Sequence, residues 1–188
     1  MRLKNIKYFI PIICIVFFTG CSISKPSVYG NNYPLQNTSH FIENISLKIP
    51  DKYHFVEDNE CFCRELWFVK DDYSSDISIN KLNLENSNSL DDEDLLYQVA
   101  ELSLQLIKKK LKGDFLFDGR YEWFDIGERK AIAFRYGNKD KYNGRNVITN
   151  VNGVLLESTA LLHKDLHNQV LLSELFKAQN SNLENLTY

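Results

Sequence analysis

No run of apolar residues in this chain approaches the roughly 20 that a membrane-spanning helix requires. The best of them, residues 8–18, is about half that length and is interrupted by Pro11, which argues against a permanent span. There is no basic cluster of the kind that marks nucleic-acid binding, and the formal charge is -3. The same balance argues against electrostatic docking on anionic lipid. Missing too are a Gly-x-Ser-x-Gly nucleophile elbow, a His-Glu-x-x-His zinc site and a glycine-rich phosphate loop. An enzyme is therefore not expected, and no cofactor is implied. Cysteine is scarce: of four, Cys14 and Cys21 fall in or beside the N-terminal leader, leaving Cys61 and Cys63. Disorder is also excluded, because an apolar share of 44% with 13% aromatics is that of a packed globule.

The N-terminus has the three-part layout of an export signal. Arg2, Lys4 and Lys7 supply the positive end, residues 8–18 the apolar run, and Thr19 and Gly20 the small residues before a cut. Cys21 follows directly. Phe18-Thr19-Gly20-Cys21 resembles the lipobox of bacterial lipoproteins, with Phe18 standing where leucine is common. That resemblance implies a diacylglycerol on the Cys21 thiol, removal of residues 1–20 and further acylation of the new amino terminus. Two or three chains anchor firmly where one binds only marginally. Ser22 rather than Asp after the cysteine resembles cargo sent to the outer membrane, facing the periplasm. The leader takes three basic and no acidic residues with it, so the mature chain is at -6.

Residues 21–44 are rich in Ser, Asn, Pro and Gly without sustained period and read as a flexible tether. Tyr29, Tyr33 and Phe41 are available in it to dock on the domain. The domain is expected over residues 45–178, with a polar, fraying tail at 179–188. Ile45, Leu47 and Ile49 alternate as a half-buried strand ended by Pro50, and residues 52–56 follow as a short second one. Residues 65–70 are apolar on both faces and read as a central strand. Asp71 to Asp76 are turn chemistry, and Ile77, Ile79 and Leu82 mark the next strand. A long helix starts at Ser89 or Asp91 and stops at Gly113. Acidic residues 91–94 and lysines 108–110 and 112 each sit at the end that the helix dipole favours. Its buried stripe is expected at Leu95, Val99, Leu102 and Leu106, widened by Leu96, Ala100, Ile107 and Leu111.

Residues 115–117, 121–126 and 129–136 read as three strands. Residues 145–151 and 154–162 flank Asn152-Gly153, a strong hairpin signal because both turn residues must accept positive φ. Asp165 is expected to cap a second helix carrying Leu166, Val170, Leu172, Leu175 and Phe176. Strands, helix, strands, helix in that order give an α+β domain, an antiparallel sheet with helices packed on it. The order resembles the PsbP/DcrB-like family. Ile45-Ser46-Leu47-Lys48-Ile49-Pro50, Ile77-Ser78-Ile79-Asn80-Lys81-Leu82, residues 129–136 and the hairpin within 147–162 carry the resemblance. It spans about residues 42–178 and implies an α/β/α sandwich with a non-catalytic scaffold, assembly or binding role. It carries over no active-site residue.

Three constellations remain. Cys61 and Cys63, two apart on a strand, would have Cα atoms about 6.6 Å apart, at the upper limit for a disulfide. A kinked disulfide, free or buried thiols, and a Cu(I) or zinc site for which His54 is a candidate third ligand all stay open. His163 and His167 have the i, i+4 spacing of a metal pair, but a cap at Asp165 makes them a polar helix entrance. Glu122, Asp125 and Glu128 around Trp123 have the makings of an acid/base pair with a sugar platform. Alternating polar residues on a solvated strand face explain them more simply. The function expected is a lipid-anchored, non-enzymatic scaffold, accessory or protein-interaction module of the cell envelope, with an envelope protein as partner. The alternative is a periplasmic binding module for a small ligand or a metal.

Overall fold

The computed structural model describes residues 25–57, 65–83, 92–139, 141–163 and 168–187. In chain order they form β1 (Leu35–Ile42), β2 (Ile45–Pro50), β3 (Tyr53–Phe55), β4 (Leu66–Lys70), β5 (Ser75–Leu82), α1 (Asp92–Leu111), β6 (Phe115–Ile126), β7 (Arg129–Asn138), β8 (Lys141–Val151), β9 (Val154–Leu162) and α2 (Gln169–Glu184). Seven strands make one sheet in the order β3-β4-β5-β9-β8-β7-β6, and β1 pairs with β2 in a separate hairpin. Every pairing is antiparallel: short turns require it of chain neighbours such as β6–β7 and β8–β9, and β5–β9, joined across α1 and three strands, runs the same way. The β8–β9 turn is Asn152-Gly153, at φ 51 and 87, with Val151 facing Val154. Positive φ at both positions twists the turn to match the strands.

Alternation along the strands sorts side chains onto two faces. Ile132, Phe134, Tyr136, Ile148 and Leu155 meet Leu96, Val99, Ala100 and Leu104 of α1. On the other face Ala131, Ala133, Val147, Leu156 and Ala160 meet Leu172, Leu175, Phe176 and Ala178 of α2, together with Ile45 and Leu47 of the hairpin. The result is an α+β domain layered α/β/α. Burying a side chain such as Leu175 or Phe176 contributes roughly 1.5–3 kcal/mol, and the small alanines let α2 lie close to the sheet.

Several expectations are corrected. β6 is one strand, because the residues around Asp118 and Gly119 are absorbed as an irregularity in register between Phe117 and Tyr121. The buried face of α1 is Leu96, Val99, Ala100, Ser103 and Leu104, while Leu102 and Leu106 face solvent at 53% and 60% exposure. Counting only apolar residues missed Ser103, which belongs to the buried stripe. Asn168, not Asp165, caps α2: its side chain accepts the Val170 N–H.

The two largest corrections concern the segments expected to be loose. Within residues 21–44, Leu35–Ile42 is strand β1, and residues 25–33 lie on the domain as a strap bonded to β6 and α2. Tyr29 and Tyr33 dock as anticipated, whereas Phe41 is exposed. The tail expected at 179–188 instead continues α2 through Glu184, with Gln179, Asn180, Ser181 and Asn182 buried. Thr187 then exchanges two backbone hydrogen bonds with Ser46 of β2. An uncharged polar run is tolerated inside because each member finds a partner there.

Candidate functional site

The densest polar cluster forms around Arg145 of β8. Its position is in phase with Val147 and Val151, so alternation turns the guanidinium inward, toward α2. The side chain is 0% exposed. Its Nη2 donates to Glu122 Oε2 at 2.9 Å and Ser27 Oγ at 3.3 Å; Nη1 donates to Asn180 Oδ1 at 2.7 Å and Gln179 Oε1 at 3.1 Å. The rings of Phe124, Tyr29 and Phe176 stand 5.1, 5.2 and 5.7 Å from its central carbon, within cation–π range. Arg145 Nε has no hydrogen-bond partner among the described residues. One side chain thus joins the strap, β6, β8 and α2.

Glu122 is the counter-charge. Burial would raise its pKa, but the Arg145 charge, with donors from Ser27 Oγ and Val28 N–H, outweighs that and holds it below the usual carboxylate value. Burial pulls Arg145 below the usual arginine value, opposed by Glu122. A guanidinium starts so far above neutrality that it stays protonated. A desolvated pair is strongly destabilised when one partner is removed, because the other is left as an isolated buried charge.

The polar run of α2 works beside this pair as a clasp. Gln179 Nε2 donates to the Ser158 carbonyl at 2.9 Å, and Asn180 Nδ2 to the Gly30 carbonyl at 2.8 Å. Ser181 Oγ accepts the Tyr33 N–H at 2.8 Å, and Asn182 Nδ2 reaches the Lys48 carbonyl at 2.6 Å. At the end of β6 the strap closes reciprocally: Lys25 N–H donates to Asp125 Oδ2 at 2.7 Å and Asp125 N–H to the Lys25 carbonyl at 2.8 Å. Arg129 then grips the end of α2 through the carbonyl of Leu183 in its last turn and that of Leu186 just beyond it, putting positive charge where the helix dipole is negative. Beside the strap, Tyr29, Arg120, Tyr121, Arg135 and Arg145 line an open cleft of about 350 Å³ with Asp118 and Glu122. Arg135 there is paired with Asp118 at 2.8 Å and donates to Tyr29 Oη at 3.2 Å.

The residues singled out from sequence fare differently. Cys21, Cys61, Cys63, Asp165 and His167 lie outside the described residues. His54 sits on β3 with Nδ1 3.2 Å from Asp71 Oδ1. His163 Nε2 is 3.9 Å from Asp76 Oδ2. Glu122 is not on a solvated face, as the sequence suggested, but faces Arg145; Asp125 holds the strap. Glu122 and Asp125 therefore serve strap attachment. Arg145 and residues 179–182 were missed. Their signal was there: Arg145 keeps step with Val147 and Val151, and Gln179, Asn182 and Leu186 continue the spacing of Leu172, Leu175 and Phe176.

A seven-stranded antiparallel sheet between α1 on one side and α2 with a β-hairpin on the other defines a domain of PsbP-like fold. The structure is similar to the solution structure of cyanobacterial PsbP (CyanoP) from Synechocystis sp. PCC 6803, with a TM-score of 0.55 and 15% identity. The match covers 85% of this chain and 94% of that one. Identity at that level speaks to the fold alone. No family model matches the sequence, and no curated protein matches it.

Proposed function

We propose that the chain is a lipid-anchored cell-envelope protein, held through Cys21, whose domain acts as a non-enzymatic scaffold, accessory or protein-interaction module. The strap carries this reading. The segment that begins four residues after Cys21 is bonded to β6 and α2, so a pull on the anchor is borne by the fold. Arg145 and Glu122, the charged pair at its centre, are bonded to each other and to the strap, which supports a structural use for them. The scaffold role in the PsbP/DcrB-like family, which the sequence resembles, points the same way.

The test is to feed an alkyne-tagged fatty acid to cells making the full chain and to fractionate them. Label in the wild type, none in Cys21→Ser, and a shift of the variant out of the membrane fraction are expected. Equal membrane retention without label sinks the anchor. Crosslinking in the same cells then asks for an envelope protein that wild type captures; a domain that captures none counts against the interaction role.

A further inference from the structure

We infer that the strap fixes how the domain stands on the membrane: the end bearing the β6–β7 turn and the C-terminus of α2 faces the lipid, and the opposite, lysine-rich end faces away. The inference rests on the reading that Cys21 carries the lipid, and adds the orientation of the domain. Lys25 is locked to Asp125 by two backbone-anchored hydrogen bonds at the C-terminal end of β6. From Cys21 to Lys25 there are four residue steps, which span at most about 14 Å when fully extended. β6, Phe115–Ile126, runs from the far end to this one, and its eleven steps cover about 36 Å. The leash is much shorter than the domain, so a docked strap forbids the inverted pose, in which the far end rests on the surface and Lys25 stands a full strand length above its own anchor.

The near end gathers Gly127 and Glu128 of the β6–β7 turn, the Asn152-Gly153 turn, Glu93 at the start of α1, and the last turn of α2 held by Arg129. At the far end Lys139 N–H donates to the Asp114 carbonyl at 2.7 Å, which brings the β7–β8 turn beside the end of α1. Lys108, Lys109, Lys110, Lys112, Lys139 and Lys141 are all exposed there. Four of the six stand together at the end of α1 and the fold adds Lys139 and Lys141, so the domain carries a basic end that the overall charge balance did not suggest. An anionic membrane attracts lysines that come near its surface. Free on a long leash, the domain would therefore lie with its lysines down. The bonds of the strap decide against that arrangement.

The full chain, purified with its anchor and put into phosphatidylcholine vesicles doped with a nickel-chelating lipid, gives a direct test. A spin label is coupled to p-acetylphenylalanine replacing Glu128 in one sample and Lys139 in another, both exposed sites, leaving Cys61 and Cys63 untouched. Surface nickel should relax the label at position 128 about tenfold more than that at 139, given the ~36 Å between the ends. Ten Gly-Ser residues inserted between Ser24 and Lys25 should erase most of that difference. Equal relaxation without the insertion, or the reverse order, overturns the orientation. Intact mass of the same samples separates the two readings. A chain without diacylglycerol refutes the anchor, and the orientation with it; an acylated chain with no difference between the labels refutes the orientation alone.

Discussion

Arg145 and Asn146 are neighbours on β8, and each starts a polar cluster on a different face of the sheet. Beneath α1, Asn146 Nδ2 donates to Ser103 Oγ and Glu157 Oε1, both at 2.7 Å, and Thr159 donates to Asn146. That cluster joins one helix to two adjacent strands. Arg145, on the face of α2, joins two strands and a helix to a strap 118 residues away in sequence. It also spends a full buried charge to do so. The difference teaches that the α1 side is closed by apolar packing with a small polar patch, whereas the α2 side depends on a charged pair to hold a distant segment.

Breaking the pair should have the largest effect. Arg145→Met leaves Glu122 buried without its counter-charge and should cost about 3–5 kcal/mol in urea unfolding. Arg145→Met with Glu122→Leu should recover most of it, since an apolar replacement of both removes the desolvation penalty as well. A single variant as stable as wild type would show that the node does not hold the face together. Asn146→Ala on the other side should cost less, about 1–3 kcal/mol for the polar groups left unpaired. A loss equal to that of Arg145→Met would erase the contrast.

Gly144 sharpens the α1 side further. A Cβ there would stand 2.5 Å from the Tyr136 ring, so Gly144→Ala should lower the unfolding free energy by about 1–3 kcal/mol through overpacking. At the entrance to α2, Asn168→Ala removes the cap on the Val170 N–H and should cost about 1 kcal/mol, read as a shift in urea midpoint.

The effect smallest at neutral pH, and confined to the strap side, is pH dependence. The Glu122 pKa is lowered in the folded state, so its contribution is complete above the ordinary value of 4.5 and is lost as pH falls through the depressed one. The stability gap between wild type and Glu122→Gln should therefore narrow below about pH 4.5. A gap constant from pH 6 to about pH 3 would mean that Glu122 is not the acid-sensitive group of the strap.

Much of this was legible beforehand. Ile45, Leu47 and Ile49 alternate with Ser46 and Lys48, Asn152-Gly153 names its own turn, and acidic and basic ends bracket α1; all three are local signals. Arg145 was half legible, its phase visible but not its partners, since Ser27 and Asn180 are remote in sequence. Residues 179–182 misled because Gln-Asn-Ser-Asn scores as solvated, and no local rule says that Gly30, Tyr33 and Lys48 will meet it.

Sequence by itself therefore determined the order and kind of elements, the α+β class and the lipobox-like leader, because period, turn chemistry and end charges act within a few residues. Tertiary structure alone decided that residues 25–33 are a strap, that α1 buries Ser103 and exposes Leu102, and that six lysines meet at one end. The reason is physical: a polar group can be buried only where its partner arrives, and those partners come from the far side of the chain.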